Sequence, residues 1–255
     1  MKNGSQFFSG GPNDCCSGDL SSSFDDWRTN YTLITDDEEG GYFVNVDAEP
    51  VSQHVYAAHP EMNVDKIYSD AFVQTSGAGG ERYPTVYEAI TDRIERGSLI
   101  TNYIGHGGEV GAAEERIITI PQIQAWTNIN KLGLFVTATC EFTKFDDPSR
   151  VSAGEWVSLN PTGGAIALMT TTRSVFFGVN STTIDAFYNY VFMRESDGAP
   201  MTFGKIIQLT KNNSQFSENR RCFSLIGDPA LQIALPRFNV VTDSINHIAA
   251  NQFND

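Results

Sequence analysis

A mostly parallel α/β sheet flanked by helices is the fold class that this sequence predicts, and three observations predict it. From Tyr31 onward, short β-branched or aromatic runs alternate with amphipathic stretches of helical length, the pattern of successive βαβ units. The 255 residues are 40% hydrophobic and 11% aromatic, enough for one large domain with a sizeable core. No stretch approaches the ~18 consecutive apolar residues of a membrane-spanning helix, so the apolar runs are read as core.

The elements follow in order. Gly4 to Ser23 is rich in Gly and Ser and aperiodic, so residues 1–26 read as a linker or lead segment. Lys2 has no apolar run behind it, so no signal peptide is read there. Strands are expected at Tyr31–Thr35, Lys66–Phe72, Leu99–Ile104, Leu134–Thr139 and Ala165–Met169. Val86, Ile90 and Ile94 at fourfold spacing predict a helix started by a Thr85/Glu88 capping box and stopped by Gly97. A second helix is expected from Pro121 to about Asn130 with Ile123 and Trp126 inward, and a third from Ser152 to Leu159 with Ser152 and Glu155 as its capping box. A fourth covers Thr183 to Met193, with Ile184, Phe187, Tyr188, Val191 and Phe192 apolar. The main domain then spans 27–236. Phe238 to Ile245 reads as a further strand, so 237–255 begins another module.

Charge and cysteines narrow the function. Seventeen basic against 31 acidic residues leave a formal net charge of −14, which repels phosphate backbones and argues against a nucleic-acid partner. Four cysteines, two of them the neighbours Cys15 and Cys16, do not make a disulfide framework. Cys222 sits in the apolar run Arg221 to Ile226 and reads as a buried, inert thiol.

Ligands of open parallel sheets bind beyond the carboxyl ends of the strands. One expected strand ends in Gly105-His106-Gly107-Gly108, another in Cys140-Glu141, and a third in Asp36-Asp37. A histidine, a cysteine and an acid therefore reach one sheet edge. An imidazole beside a thiol favours the thiolate, which is the nucleophile, and returns the proton to the leaving group. An acid on the far ring nitrogen fixes the imidazole's tautomer. The glycines flanking His106 admit close backbone approach, and the amides of Gly107 and Cys140 are candidate oxyanion donors.

Other chemistries fit less well. Zinc would use His and Cys, but there is no CxxC or HExxH, and His54, His59 and His247 are scattered. The run Asp36 to Glu39 lacks the alternation of an EF-hand loop, and Glu38 and Glu39 read as solvated. Gly105 to Gly111 misses GxGxxG because Val110 stands at the third glycine position.

Asn102–Glu109 (NYIGHGGE), Thr137–Phe142 (TATCEF), Ser152–Glu155 (SAGE), Thr170–Arg173 (TTTR) and Leu225–Leu231 (LIGDPAL) resemble the gingipain family of caspase-like cysteine peptidases. The likeness covers about Trp27 to Pro236, and its wording is most similar to the sortases of the Bacteroidota type IX secretion system. It implies a caspase-like three-layer α/β/α sandwich; from the residues themselves no cofactor and no metal ligands are expected, with calcium binding left open. It implies Cys140 as nucleophile, His106 as base, Asp37 (with Asp36 next) as orienting acid, and Gly107 and Cys140 as oxyanion donors. The segment Thr170 to Phe177 follows the strand after the cysteine strand, so Thr172, Phe176 and Phe177 are candidate walls of the substrate pocket, with a core aromatic pair the equal alternative for Phe176 and Phe177. Its implied task is cleavage of the C-terminal sorting domain from exported cargo at the cell surface, among other secretion-system subunits. The acyl group then passes to an amine of lipopolysaccharide or to water; the alternatives are a plain endopeptidase and a non-catalytic module. Relatives carry a signal peptide, a β-rich region and a first α/β subdomain ahead of the catalytic half, which here begins almost at once, so a fragment is expected.

Overall fold

The computed structural model describes residues 25–37, 39–214 and 219–236, together with the paired residues 244–245 and 248–249. The expected lead segment, with Cys15 and Cys16, falls almost wholly outside the described residues. So does most of the expected strand Phe238–Ile245, of which Ser244–Ile245 pairs with Ile248–Ala249 in a short antiparallel ladder.

Six strands make the central sheet: β1 (Asn30–Thr35), β2 (Asn63–Tyr68), β3 (Ile100–Ile104), β4 (Leu134–Ala138), β5 (Ala167–Thr171) and β6 (Phe223–Ile226). Their spatial order is β6-β5-β4-β3-β1-β2. β1 to β5 run parallel, and only β6 runs antiparallel, against β5. β1, β3, β4 and β5 are buried throughout, as apolar runs in a two-sided parallel sheet must be.

Successive side chains of each strand feed opposite cores. Tyr31 and Leu33 join Ile100, Val136 and Met169 beneath α1 (Glu49–Ala58), α5 (Phe177–Tyr188) and α6 (Phe203–Asn213). Ile34 joins Tyr103, Phe135 and Leu168 beneath α2 (Pro84–Arg96), α3 (Ile120–Ala125) and α4 (Ala153–Leu159). Each fully buried Ile, Leu, Val or Phe stabilises by about 1.5–3 kcal/mol. The result is the three-layer α/β/α sandwich that the sequence predicts.

Several boundaries differ, each for a local reason. β2 begins at Asn63 rather than Lys66 because it is an edge strand, where Asn63 and Asp65 stay partly wet. α2 starts at Pro84 after Tyr83, so the Thr85/Glu88 capping box does not form; Gly97, at φ 89°, does end the helix. α3 is capped by Thr119, whose hydroxyl accepts from Gln122, and it stops at Ala125 because Trp126 turns extended. Ser152 donates its N–H to Glu155 at 2.8 Å, as expected at the start of α4. α5 begins at Phe177, earlier than Thr183, and ends at Tyr188; Val191 and Phe192 reach the core from the following turn.

Candidate active site

The strand order reverses at β1, between β3 on one side and β2 on the other, and the crevice at such a switch point is where ligands bind. Ile104 of β3 pairs with Ala138 of β4. His106 and Cys140 each lie two residues beyond that pair, so the histidine and the cysteine leave neighbouring strands in register.

Cys140 is partly buried and held by the loop after β5. Val175 N–H donates to Cys140 Sγ at 3.5 Å, and the thiol faces the Val175 carbonyl at the same distance. The next residue, Glu141, has φ 48°, a left-handed turn that a non-glycine residue adopts only under local constraint. Behind the cysteine runs a ladder of buried threonine hydroxyls. Thr170 Oγ1 lies 2.8 Å from Thr137 Oγ1 and 2.8 Å from Thr143 Oγ1, and Thr171 donates to the Thr139 carbonyl. Gly154 is a glycine for this packing, since a Cβ there would run into the Thr143 side chain. The TATC, TTTR and SAGE wording thus builds the support of Cys140.

His106 is held from the other side. Its Nε2 lies 3.2 Å from Glu39 Oε1, and its ring meets Phe43 edge-on at 5.3 Å between centroids. Glu39, Gly40 and Gly41 all have positive φ (60°, 62° and 81°), a turn that brings Glu39 back over the strand end. The π-helical turn Phe43–Ala48 follows at once. Glu39 is exposed, as expected, and is in addition an acid on the imidazole.

Asp37 is not. Its Oδ2 accepts from Tyr83 Oη at 2.7 Å and from Gln74 Nε2 at 3.5 Å. β1 ends with Asp36 turned inward and Asp37 turned toward α2, so the expected Asp37–His106 hydrogen bond does not form. Asp36 Oδ2 accepts the backbone N–H of His106 at 3.0 Å. Burial pushes the Asp36 carboxyl up to about 7; the N–H groups of His106 and Asp37 pull it down, and the neighbouring Glu115 and Asp37 carboxylates raise it further. Asp36, Asp37 and Glu115 bring one oxygen each within 4.8 Å of one another, the one group of acids among the described residues with the spacing of cation ligands.

Gly107 crosses so near Thr139 that a Cβ would come within 2.8 Å of Thr139 Oγ1, so glycine there is already a packing requirement. Thr172 is partly buried and gives its N–H and hydroxyl to the Cys222 carbonyl, at 2.9 and 3.2 Å. Cys222 is only partly buried, ending the short helix that leads into β6. Phe176 is 78% exposed beside the cysteine loop; the Phe177 side chain lies outside the described residues.

A cleft of about 970 Å³ opens on the histidine side, lined by His106 and Glu39 with Gly108, Val110, Arg116 and Ile120 among others, while Cys140 does not line it. The opposite end of the sheet, where Leu99 precedes β3 and Leu134 begins β4, has a crevice of about 20 Å³. Lys144 ties the loops after His106 and Cys140 together, its Nζ 2.8 Å from Glu109 Oε1 and 3.7 Å from Glu141 Oε1. Among the described residues no helix is long and apolar enough to cross a membrane.

Among solved structures the chain is similar to the Arg-specific cysteine proteinase gingipain R (RgpB), with a TM-score of 0.65 and 17% identity over 83% of this chain and 49% of that one. A complex of the pro- and mature domains of RgpB from Porphyromonas gingivalis gives 0.64 and 16% over 83% and 50%. A third protease structure gives 0.62 and 16% over 84% and 50%. At such identity the likeness is one of fold, and the chain spans about half the length of these structures. No curated protein matches it. The profile of peptidase family C25 matches residues 17–234, most of the chain and every element of the site just described, and the chain therefore belongs to peptidase family C25, the gingipain family of cysteine peptidases.

Proposed function

We propose that this chain is the catalytic half of an acyl-transferring cysteine peptidase, with Cys140 as nucleophile and His106 as base. The observation that carries the reading is the in-register departure of His106 and Cys140 from paired strands, with Glu39 on the imidazole. In the resting arrangement the thiol rests on Val175 rather than His106; such pairs often tighten only around a substrate. His106 takes the thiol proton, and the thiolate sulfur bonds to the substrate carbonyl carbon. The tetrahedral oxyanion collapses to a thioester as the carbon–nitrogen bond breaks, and His106 gives its proton to the leaving amine. An acceptor amine or water then attacks the thioester, and Cys140 is released. The departing peptide leaves past the base, so the cleft beside His106 suits the residues on the amine side of the scissile bond, and afterwards the acceptor.

The finer reading is a sortase of the PorU type, which removes the C-terminal sorting domain of exported cargo and passes the acyl group to a lipopolysaccharide amine at the cell surface, alongside other secretion-system subunits. The motif wording supports it. Hydrolysis of the same thioester would make the protein a gingipain-like endopeptidase. Incubating the chain with a cargo-derived peptide and an excess of a simple amine, with mass analysis of products, separates the two: amide product marks transfer, free acid marks hydrolysis. Cys140→Ala should lower either activity by several orders of magnitude while leaving the melting temperature nearly unchanged. Undiminished turnover in Cys140→Ala would sink the cysteine mechanism.

A further inference from the structure

We propose that Asp36 and Tyr103 form a positioning clamp on the backbone of His106, and that this clamp sets where the catalytic imidazole begins. The proposal rests on the cysteine-peptidase reading and names two residues that the reading does not use.

Both polar groups of the His106 backbone are held by buried side chains from two adjacent strands. Asp36, at the end of β1 and 1% exposed, accepts the His106 N–H on Oδ2 at 3.0 Å and the Asp37 N–H on Oδ1 at 3.0 Å. Tyr103, on β3 and fully buried, donates its hydroxyl to the His106 carbonyl at 2.5 Å. The same carbonyl accepts from Ala113 N–H at 3.0 Å, so the hairpin after the histidine is fastened to the same point. Tyr103 Oη also lies 3.4 Å from Asp36 Oδ2, which closes a ring of side chain, hydroxyl and peptide around one residue.

Gly105 reports how tightly the ring is closed. A Cβ at this position would sit 2.4 Å from Asp36 Cβ and 2.6 Å from Tyr103 Oη. Any larger residue before the histidine would push the clamp open.

The side chain of His106 is less buried than its backbone clamp. It is 37% exposed, and Glu39 and Phe43, from the turn after β1, are among its contacts. A displacement of its backbone carries the imidazole, which lines the edge of the cleft, away from the sulfur. Misplacement of a reacting group by about 1 Å is worth on the order of a hundredfold in rate. The loss should therefore fall on kcat, with KM little changed.

The test compares the full chain with Asp36→Ala, Asp36→Asn and Tyr103→Phe, following kcat, KM, melting and the NMR signal of the His106 ring. Asp36→Ala should lower kcat by on the order of thirtyfold or more and leave KM within about twofold. Asp36→Asn keeps one acceptor oxygen for the His106 N–H and should recover most of that loss. Tyr103→Phe should lower kcat about three- to tenfold. In Asp36→Ala the ring signal should broaden or split while Cys140 alkylation by iodoacetamide keeps its rate. Wild-type kcat and one sharp ring signal in Asp36→Ala would overturn the proposal. So would a loss that follows the fall in melting temperature and that Asn does not recover. Should Asp36→Ala fail to fold, Tyr103→Phe decides alone, through kcat and the ring signal. Turnover surviving in Cys140→Ala defeats the functional reading; a dead Cys140→Ala beside a fully active Asp36→Ala defeats only the clamp.

Discussion

The two arms of the site are built from different chemistry. The arm of Cys140, the proposed nucleophile, is neutral: it stands on a ladder of threonine hydroxyls with Thr137, Thr170 and Thr171 all fully buried. The arm of His106, the proposed base, is charged: His106 has Glu39 on its ring and Asp36 on its backbone, and Asp36 lies beside Asp37 and Glu115. Hydroxyl ladders do not titrate near neutrality, whereas clustered carboxyls do. The position of the sulfur should therefore be indifferent to pH, and the setting of the imidazole should not.

The largest contrast lies within the base arm, between Glu39 and Asp37. Glu39→Gln removes the charge facing His106 Nε2 and should lower kcat on the order of tenfold, because a Cys–His pair still works without its third member. Asp37→Asn should cost less than about threefold in kcat, since that carboxylate serves Tyr83 and Gln74. Steady-state kinetics on the two variants decides the matter. If Asp37→Asn is the more damaging, the imidazole swings to Asp37 in the working enzyme and Glu39 is only its resting partner.

The neutral arm is probed by Thr170→Val. This swap keeps the shape but removes the hydroxyl that Thr137 and Thr143 both use. Two buried hydroxyls lose their partner, which costs on the order of 1–3 kcal/mol, read from urea unfolding. The pH profile of activity should stay where it is. A shifted profile would mean that the threonine ladder communicates with the titrating arm.

Much of the fold was legible because its central strands are buried on both faces and read as continuous apolar runs. β2 escaped in part because an edge strand needs no such run, and Asn63 and Asp65 carry it. His106 and Cys140 were legible because the strand-end rule needs only the strand boundaries. Glu39 was not, because its place depends on three successive left-handed residues, of which Gly40 and Gly41 are the sole trace in the sequence. The choice between Asp36 and Asp37 hung on which face each takes after β1 ends, and alternation carries no authority past the last paired residue. The threonines were visible as family wording, yet their hydroxyl ladder appears only once β4 and β5 are set in register.

The charged arm should show itself in stability against pH. The Asp36 carboxyl is raised in the folded protein from its ordinary 3.8 to about 7, chiefly by burial. Between roughly pH 4 and 7 the folded state therefore keeps a proton that the unfolded chain has released. The stability this supplies is present in full at low pH and falls as pH rises through the folded value. Asp36→Asn cannot titrate. The melting temperature of the wild type relative to Asp36→Asn should thus drop by at least a few degrees between pH 4.5 and 8. Asp47 is raised the same way, to about 6, but contributes equally to both proteins and cancels in the difference. A gap that stays constant across this range would remove Asp36 as the titrating group of the arm.

The smallest effect is expected on the neutral arm's outer surface, at Phe176. The residue before it, Val175, touches the sulfur through both of its backbone polar groups, so under the proposed mechanism the side chain that follows would stand beside the acyl half of a bound peptide. At 78% exposure most of the ring faces solvent, and Phe176→Ala should change stability by less than about 0.5 kcal/mol. A bound side chain laid against the ring would recover apolar area at ~25 cal/mol per Å². The substitution should therefore raise KM about two- to tenfold for peptides with large apolar residues before the scissile bond, and leave those with small ones unchanged. The division of labour between the arms makes the control: residues after the scissile bond, which meet the cleft beside His106, should be discriminated as before. A uniform loss over all peptides together with a lower melting temperature would instead assign Phe176 to packing of the cysteine loop.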